Sequence, residues 1–396
     1  MSTVYRRATM IGPVIVWLAL AAPAAAQQPV ADVLSFLLTN QAVPTGDFVK
    51  DAQSATVTQE ALTRLLLVEL TTLPLNSSSA AFTYQPNAAL GTIQRTSESF
   101  GPFFTERSLT AGRRRGSIGM TVQSVEYTDL DQHNLRDGSF VVTANQFRDE
   151  PQPFDVETLM LALGSTTVTF TGNIGVTDRL DVGVAVPIVR LTLEGSRVNT
   201  YRGARLLQAT AAATTIGLAD IAVRAKLRLS SSRSATALAV VGEVRLPTGN
   251  ADDLLGEGSV SGGGLLTASW QLGRFSIDLN GGASGSAVSQ ESRYSAATSF
   301  SASPRVTVVA EVSGRRLGDL GALTPSRVAH PTIAGVDTLR LVVAPGSTST
   351  AAIVAGAKWN VFGTWLLDGS ISIPATHQGL RSRFVTRVGL DYSFGG

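Results

Sequence analysis

From residue 115 to residue 394 the chain alternates apolar and polar positions. In residues 220–229, Ile221, Val223, Ala225, Leu227 and Leu229 are interleaved with Asp220, Ala222, Arg224, Lys226 and Arg228. Successive side chains of a strand point to opposite faces, so such a segment has one greasy face and one charged face. The design returns in residues 237–246, where Leu238, Val240, Gly242, Val244 and Leu246 oppose Ala237, Ala239, Val241, Glu243 and Arg245. It returns again with Phe275, Ile277 and Leu279 against Ser276, Asp278 and Asn280, and with Ile353, Ala355, Ala357 and Trp359 against Val354, Gly356, Lys358 and Asn360. The last two segments set Trp365, Leu367, Ile371 and Ile373 against Asp368, Ser370 and Ser372, then Phe384, Val388, Leu390, Tyr392 and Phe394 against Arg387, Gly389, Asp391 and Ser393.

Twelve segments carry this pattern: 115–128, 158–174, 179–195, 214–229, 235–247, 258–270, 275–287, 292–301, 305–316, 350–361, 364–374 and 383–394. Most reach the ~9–11 residues of a tilted membrane-crossing strand. After residue 26 no apolar run approaches the ~18–20 residues of a spanning helix. An even strand number is what single-chain bacterial barrels use. Short connections (175–178, 230–234, 271–274, 302–304, 362–363) alternate with longer ones (129–157, 196–213, 248–257, 288–291, 317–349, 375–382), although 288–291 is barely longer than a tight turn. Outer-membrane barrels sort their loops in this way. The fold expectation is therefore all-β: a transmembrane antiparallel up-and-down barrel of about twelve strands over residues 114–396, preceded by a small, partly helical segment.

Trp270, Phe275, Phe300, Trp359, Trp365, Tyr392 and Phe394 all fall on the apolar phase beside the short turns or the C-terminal end. Aromatic rings with a polar edge favour the membrane interface, so these seven are the expected interfacial belt. The opposite phase supplies the expected lining of the lumen: Asp220, Arg224, Lys226, Arg228, Glu243, Arg245, Asp278, Glu311, Lys358, Asp368 and Arg387. Charged rings select solutes by sign, whereas opposite charges pairing between neighbouring strands fill a narrow lumen. Both readings stand for Arg224 and Arg228 beside Glu243 and Arg245.

Ahead of the barrel, Arg6 and Arg7, the apolar stretch 10–22 and Ala24 to Ala26 have the form of a cleavable secretory signal. The chain's formal +2 is accounted for by those two arginines, so residues 27–396 are neutral overall. No basic stripe with interleaved aromatics points to nucleic acid. Cysteine is absent, which excludes disulfides and thiolate sites. Within residues 27–113, Leu62, Leu65, Leu66 and Leu70 recur at helical spacing, predicting a helix over about 58–72 with Thr58 as its cap, and 30–38 reads as a second short helix. Residues 76–96 read as loop with one weak hairpin. This segment either rests in the periplasm or folds back into the lumen as a plug. The triplet Arg113, Arg114 and Arg115 reads as a solvated rim at lipid phosphates.

His133, His330 and His377 lie in the longer loops, away from any nucleophile motif, and are too scattered for a metal site. Neither catalysis nor a cofactor is expected. The stretch Gly175-Val176-Thr177-Asp178-Arg179-Leu180-Asp181-Val182-Gly183-Val184-Ala185-Val186-Pro187, with Gly217 to Ile221, Arg245 to Gly249 and Arg387 to Phe394, resembles the outer-membrane proteins grouped as "meta-pathway of phenol degradation". The resemblance spans roughly residues 100–394 and implies a barrel with a role in uptake of small, aromatic or hydrophobic compounds. It brings no catalytic residues. The function expected is a passive channel or transporter in the cell outer membrane. Its expected partners are outer-membrane lipid, the barrel-assembly machinery and a small solute. The alternatives are a structural or adhesive barrel and, less so, a barrel hydrolase.

Overall fold

The computed structural model describes residues 28–43, 51–72, 77, 82–87, 92–95, 97–231 and 236–395. The signal expected at 1–26 lies outside them. Twelve strands form the barrel: β1 (Gly116–Leu130), β2 (Asp155–Gly175), β3 (Leu180–Tyr201), β4 (Ala204–Leu218 continued by Ile221–Arg228), β5 (Thr236–Leu246) and β6 (Ser261–Leu272). The ring continues through β7 (Phe275–Gly285), β8 (Gln290–Ser303), β9 (Val306–Gly318), β10 (Thr348–Phe362), β11 (Trp365–Pro374) and β12 (Leu380–Phe394). Each strand pairs antiparallel with the next, and β12 returns to β1 through the register Phe394 with Gly116. Closure leaves no strand edge to lie unpaired in hydrocarbon.

The two faces sort as the alternation requires. Val223, Leu227, Leu238, Val244 and Leu266 are exposed on the outside, while Ala222, Ala237, Ala239, Val241 and the charged residues between them are buried inside. Among the described residues no helix is long and apolar enough to cross a membrane.

Three loop expectations are corrected. Residues 196–213, expected as a loop, are strand: β3 and β4 climb beyond the others and turn at Arg202 (φ 44°) and Gly203 (φ 86°). Two positive φ values in a row make the tight hairpin turn whose twist suits the flanking strands. The 129–157 connection holds strand Phe140–Phe147, paired with β2 on one side and with Val336–Val343 on the other. Val336–Val343 in turn pairs with Leu323–Ala329, so the 317–349 loop is largely a hairpin of an outer sheet. Above the bilayer neither face of a strand meets lipid, so the alternation that marks spanning strands fades there.

The two predicted helices exist, with one boundary corrected. Helix α1 (Val30–Thr39) buries Val33, Leu34, Leu37 and Leu38, one stripe at helical spacing. Helix α2 (Ala52–Thr71) starts earlier than expected. Its cap is Asp51, which accepts from the backbone N–H of Gln53 at 3.0 Å and Ser54 at 3.2 Å. Thr58 is an interior residue whose hydroxyl donates to the Val142 carbonyl (3.3 Å) and accepts from Leu341 N–H (3.0 Å). A short hairpin, Tyr84–Asn87 with Thr92–Arg95, matches the weak one anticipated.

Both helices pack on inward-facing barrel residues at the long-loop end. Their leucines share one cluster with Val125, Tyr127, Leu161, Leu163, Leu191 and Leu193. Gly195 makes this possible, because a Cβ there would lie 2.5 Å from Leu37 Cδ1 and 2.8 Å from Leu161 Cδ2. Arg197, buried on the same wall, donates to the Leu38 carbonyl and pairs with Glu157 at 3.1 Å.

Candidate functional site

The candidate site is the lumen, and it is occupied by the chain itself. Residues 97–113 run along the inside of the wall in the short-turn half and are held by inward-facing side chains of many strands. Glu311 on β9 is the densest anchor. Its carboxylate accepts from the backbone N–H of Phe103 (3.1 Å), Phe104 (3.1 Å) and Thr105 (2.6 Å) and from the Thr105 hydroxyl (2.7 Å). Lys358 donates to the Pro102 carbonyl at 2.6 Å and stands 5.0 Å from the centre of the Phe103 ring, with Arg387 at 5.3 Å from the same ring. Two cations on one aromatic fix that ring electrostatically as well as by packing. Further along, Ser108 N–H donates to Ser269 (2.9 Å) and Ala111 N–H to Asp181 (2.9 Å).

The central charges form one network. Arg224 pairs with Glu243 at 2.6 Å and with Glu106 of the inner segment at 3.2 Å. Glu243 also faces Arg245 (3.1 Å) and Arg293 (3.4 Å). Lys226 lies 3.8 Å from Glu106 and 3.9 Å from Asp181. Buried ions survive only when so compensated, since each costs several kcal/mol to desolvate alone. At the helix end, Arg315 binds Glu69 and the Thr72 carbonyl (2.7 Å). Burial pushes the Glu69 carboxyl above its ordinary value, against the pull of Arg315.

All eleven residues expected at the lumen lie on the inner side of the wall. Ten are buried and Arg245 is partly exposed. Arg224, Glu243, Arg245 and Lys226 come together. Lys358, Asp368 and Arg387 form a second group, with Arg387 bonded to Asp368. Asp278 accepts from Ser269 at 2.5 Å, within electrostatic reach of Lys226 and Arg107. Asp220 holds a loop, accepting from Gly249 N–H and Glu257 N–H, both at 3.0 Å. Arg228 sits at the short-turn mouth with Ser230 and Ser231. Sequence reasoning missed Glu69 and Glu106, because nothing in residues 27–113 announces which charges will meet the wall.

The seven aromatics lie at the short-turn end: Phe275 and Phe300 stack with centroids 4.7 Å apart and Trp365 and Tyr392 at 4.8 Å. The histidines are dispersed. His133 stacks on Phe140 at 4.9 Å, His330 Nδ1 accepts from Ile333 N–H at 3.2 Å, and His377 contacts Arg381.

Between the inner segment, helix α2 and strands β1, β4 and β6 to β12 there remains a cavity of about 220 Å³. Phe104, Val125, Tyr127 and Val385 give it an apolar side, and Glu69, Arg224, Glu291, Arg293 and Arg315 a charged one.

No protein-family model matches the sequence, and no curated protein does. Among solved structures the chain is similar to an outer membrane channel from Pseudomonas putida F1, at 13% identity over 71% of this chain and 96% of that one, with a TM-score of 0.44. It is similar also to the transport unit of the autotransporter AIDA-I from Escherichia coli (12% identity, 70% and 90% covered, TM-score 0.37). A third is the translocator domain of the autotransporter NalP from Neisseria meningitidis (12% identity, 72% and 89% covered, TM-score 0.29). At these values each is a likeness of barrel architecture and nothing finer.

Proposed function

We propose that this protein is a passive outer-membrane route for small solutes, aromatic or otherwise apolar, with the segment 27–113, through its described residues 97–113 and the two helices, acting as a plug that sets what passes. The observation that carries the reading is the cavity of about 220 Å³ left between plug and wall. An apolar cavity of roughly 150 Å³ is enough for a benzene-sized ring. A single-ring solute therefore fits, whereas a hydrated sugar would meet a lumen already filled by Phe103, Phe104 and the ion pairs. The paired interior charges favour a neutral or weakly selective passage over an ion-selective pore. The resemblance to the phenol meta-pathway group agrees with a small aromatic solute. We read the chain as a non-enzyme, in keeping with three histidines held in three separate settings.

Conductance in planar bilayers and solute flux into liposomes test this. Arg224→Glu places a third carboxylate beside Glu106 and Glu243, so the plug should loosen and conductance rise. Unchanged conductance and selectivity would remove Arg224 from the wall of the passage. A sealed barrel that admits neither ions nor phenol would leave the structural or adhesive reading in its place.

A further inference from the structure

The short-turn rim carries a charge pattern that the lumen does not use. Arg113, Arg114, Arg179, Arg274 and Arg305 are exposed there, each in or beside a turn. Among the described residues none of these five guanidinium groups has a carboxylate within ion-pair distance. The acidic residues nearby are Asp178, which accepts from the backbone N–H of Arg113 at 3.1 Å, and the exposed Glu98. At the opposite end two exposed arginines are paired, Arg136 with Glu126 at 3.3 Å and Arg148 with Asp337 at 2.8 Å, while others, Arg316 and Arg383 among them, are exposed as on the short-turn rim, so it is placement beside the aromatic belt that sets the rim apart.

The position of these arginines relative to the aromatic belt is the second observation. Arg274 precedes Phe275, and its carbonyl accepts from Ser301 N–H (2.8 Å), next to Phe300. The Arg305 carbonyl accepts from Asn360 N–H (2.7 Å), next to Trp359. Arg114 lies two residues before Gly116, the register partner of Phe394. Three of the five cations thus stand one or two residues beyond an aromatic, on the side away from the bilayer centre. Tryptophan and tyrosine settle at the glycerol level, and a long cationic side chain just outside them reaches the phosphates.

We propose that this rim is a binding surface for anionic phospholipid, collecting phosphatidylglycerol-type headgroups in the leaflet on the short-turn side. The inference rests on the bilayer placement of the barrel and is independent of any solute transport. A fixed arginine near an anionic surface favours it about fivefold, and the effect fades within a Debye length.

The protein supplies its own reporter, because Trp270, Trp359 and Trp365 all lie at this rim. The full chain is reconstituted in phosphatidylcholine bilayers containing brominated phosphatidylglycerol or brominated phosphatidylcholine, and tryptophan quenching gives the relative association constant of the two. We expect phosphatidylglycerol to be preferred about threefold or more, and the preference to fall to about one when the five arginines are replaced by glutamine or when 0.5 M salt is added. Retention of the boiling-dependent gel shift verifies that the variant is folded. If it does not fold, the wild-type ratio and its salt response decide. Arg316→Gln with Arg383→Gln, at the long-loop end, should leave the preference intact. A wild-type ratio of one, a folded five-arginine variant that keeps the preference, or loss of it in the long-loop pair overturns the proposal. A ratio of one combined with heparin binding that the five arginines support would make the rim a site for a soluble polyanion and would equally overturn the lipid assignment.

Discussion

Replacing Glu311 by alanine should release the inner segment while leaving the barrel closed. The β9 ladder to β8 and β10 is made by backbone groups, so the wall does not depend on this carboxylate. The inner segment does depend on it, through the three amides of Phe103, Phe104 and Thr105 and the Thr105 hydroxyl. Glu311 is only 2% exposed, so the amides it abandons have little access to water. A buried donor left without an acceptor costs ~1–3 kcal/mol. These three are neighbours and will not add independently. Three at the low end set an upper bound of ~3 kcal/mol, equivalent to a change of up to roughly 100-fold in the seating equilibrium. The chain contains no cysteine, so Phe104→Cys installs a single reporter at the cavity wall. Its modification by a water-soluble thiol reagent should accelerate by up to about 100-fold in the Glu311→Ala background. A rate within about threefold of the Phe104→Cys parent, in protein that still shifts on boiling, would refute the claim that this carboxylate holds the segment in place.

Two further outcomes follow from other parts of the molecule. Leu266, 65% exposed near mid-height of β6, should face hydrocarbon, so Leu266→Arg should lower barrel stability by about 2–4 kcal/mol in a urea unfolding series. An unchanged midpoint would place that face in water. Glu69 has its pKa raised by burial, so the seated helix α2 binds a proton more readily than the released one. Seating is then favoured below the ordinary carboxylate range and weakens as pH rises through the raised value. Amide exchange across residues 62–70, corrected for intrinsic rates, should therefore slow on acidification, and Glu69→Gln should flatten the profile. A flat wild-type profile would contradict this.

The wall of the barrel was legible because two solvents write it. Lipid outside and side chains inside force a period of two on residues such as 221–228 and 237–246. Legibility ended where the lipid ended. Residues 196–213, 140–147, 323–329 and 336–343 are strands, apart from the turn at Arg202 and Gly203, but their inner face holds polar residues such as Arg197, Asn199 and Asn145, so the apolar and polar alternation of the spanning strands is not repeated there. The onset of α2 was misplaced for a different reason. Ala52, Gln53, Ser54 and Ala55 show no apolar stripe, and only the cap at Asp51 marks the start. The anchors of the inner segment were half visible: Glu311, Lys358 and Arg387 could be put on the inner face by parity. Their partners could not, because Glu311 and Lys358 bind anonymous backbone amides and a carbonyl.

The seam between Gly116 and Phe394 has a consequence for the order in which the molecule is made. Residues 97–113 are gripped by Asp181, Arg224, Ser269, Glu311 and Lys358, contributed by strands spread from β3 to β10. No two or three consecutive strands offer that grip. This segment, which precedes every barrel strand, thus acquires its resting place only after nearly all the later strands exist, and the pairing of β12 with β1 shuts it in. Synthesis order and settling order run in opposite directions, so a chain truncated before β10 lacks both the seam and the nest for the segment ahead of β1.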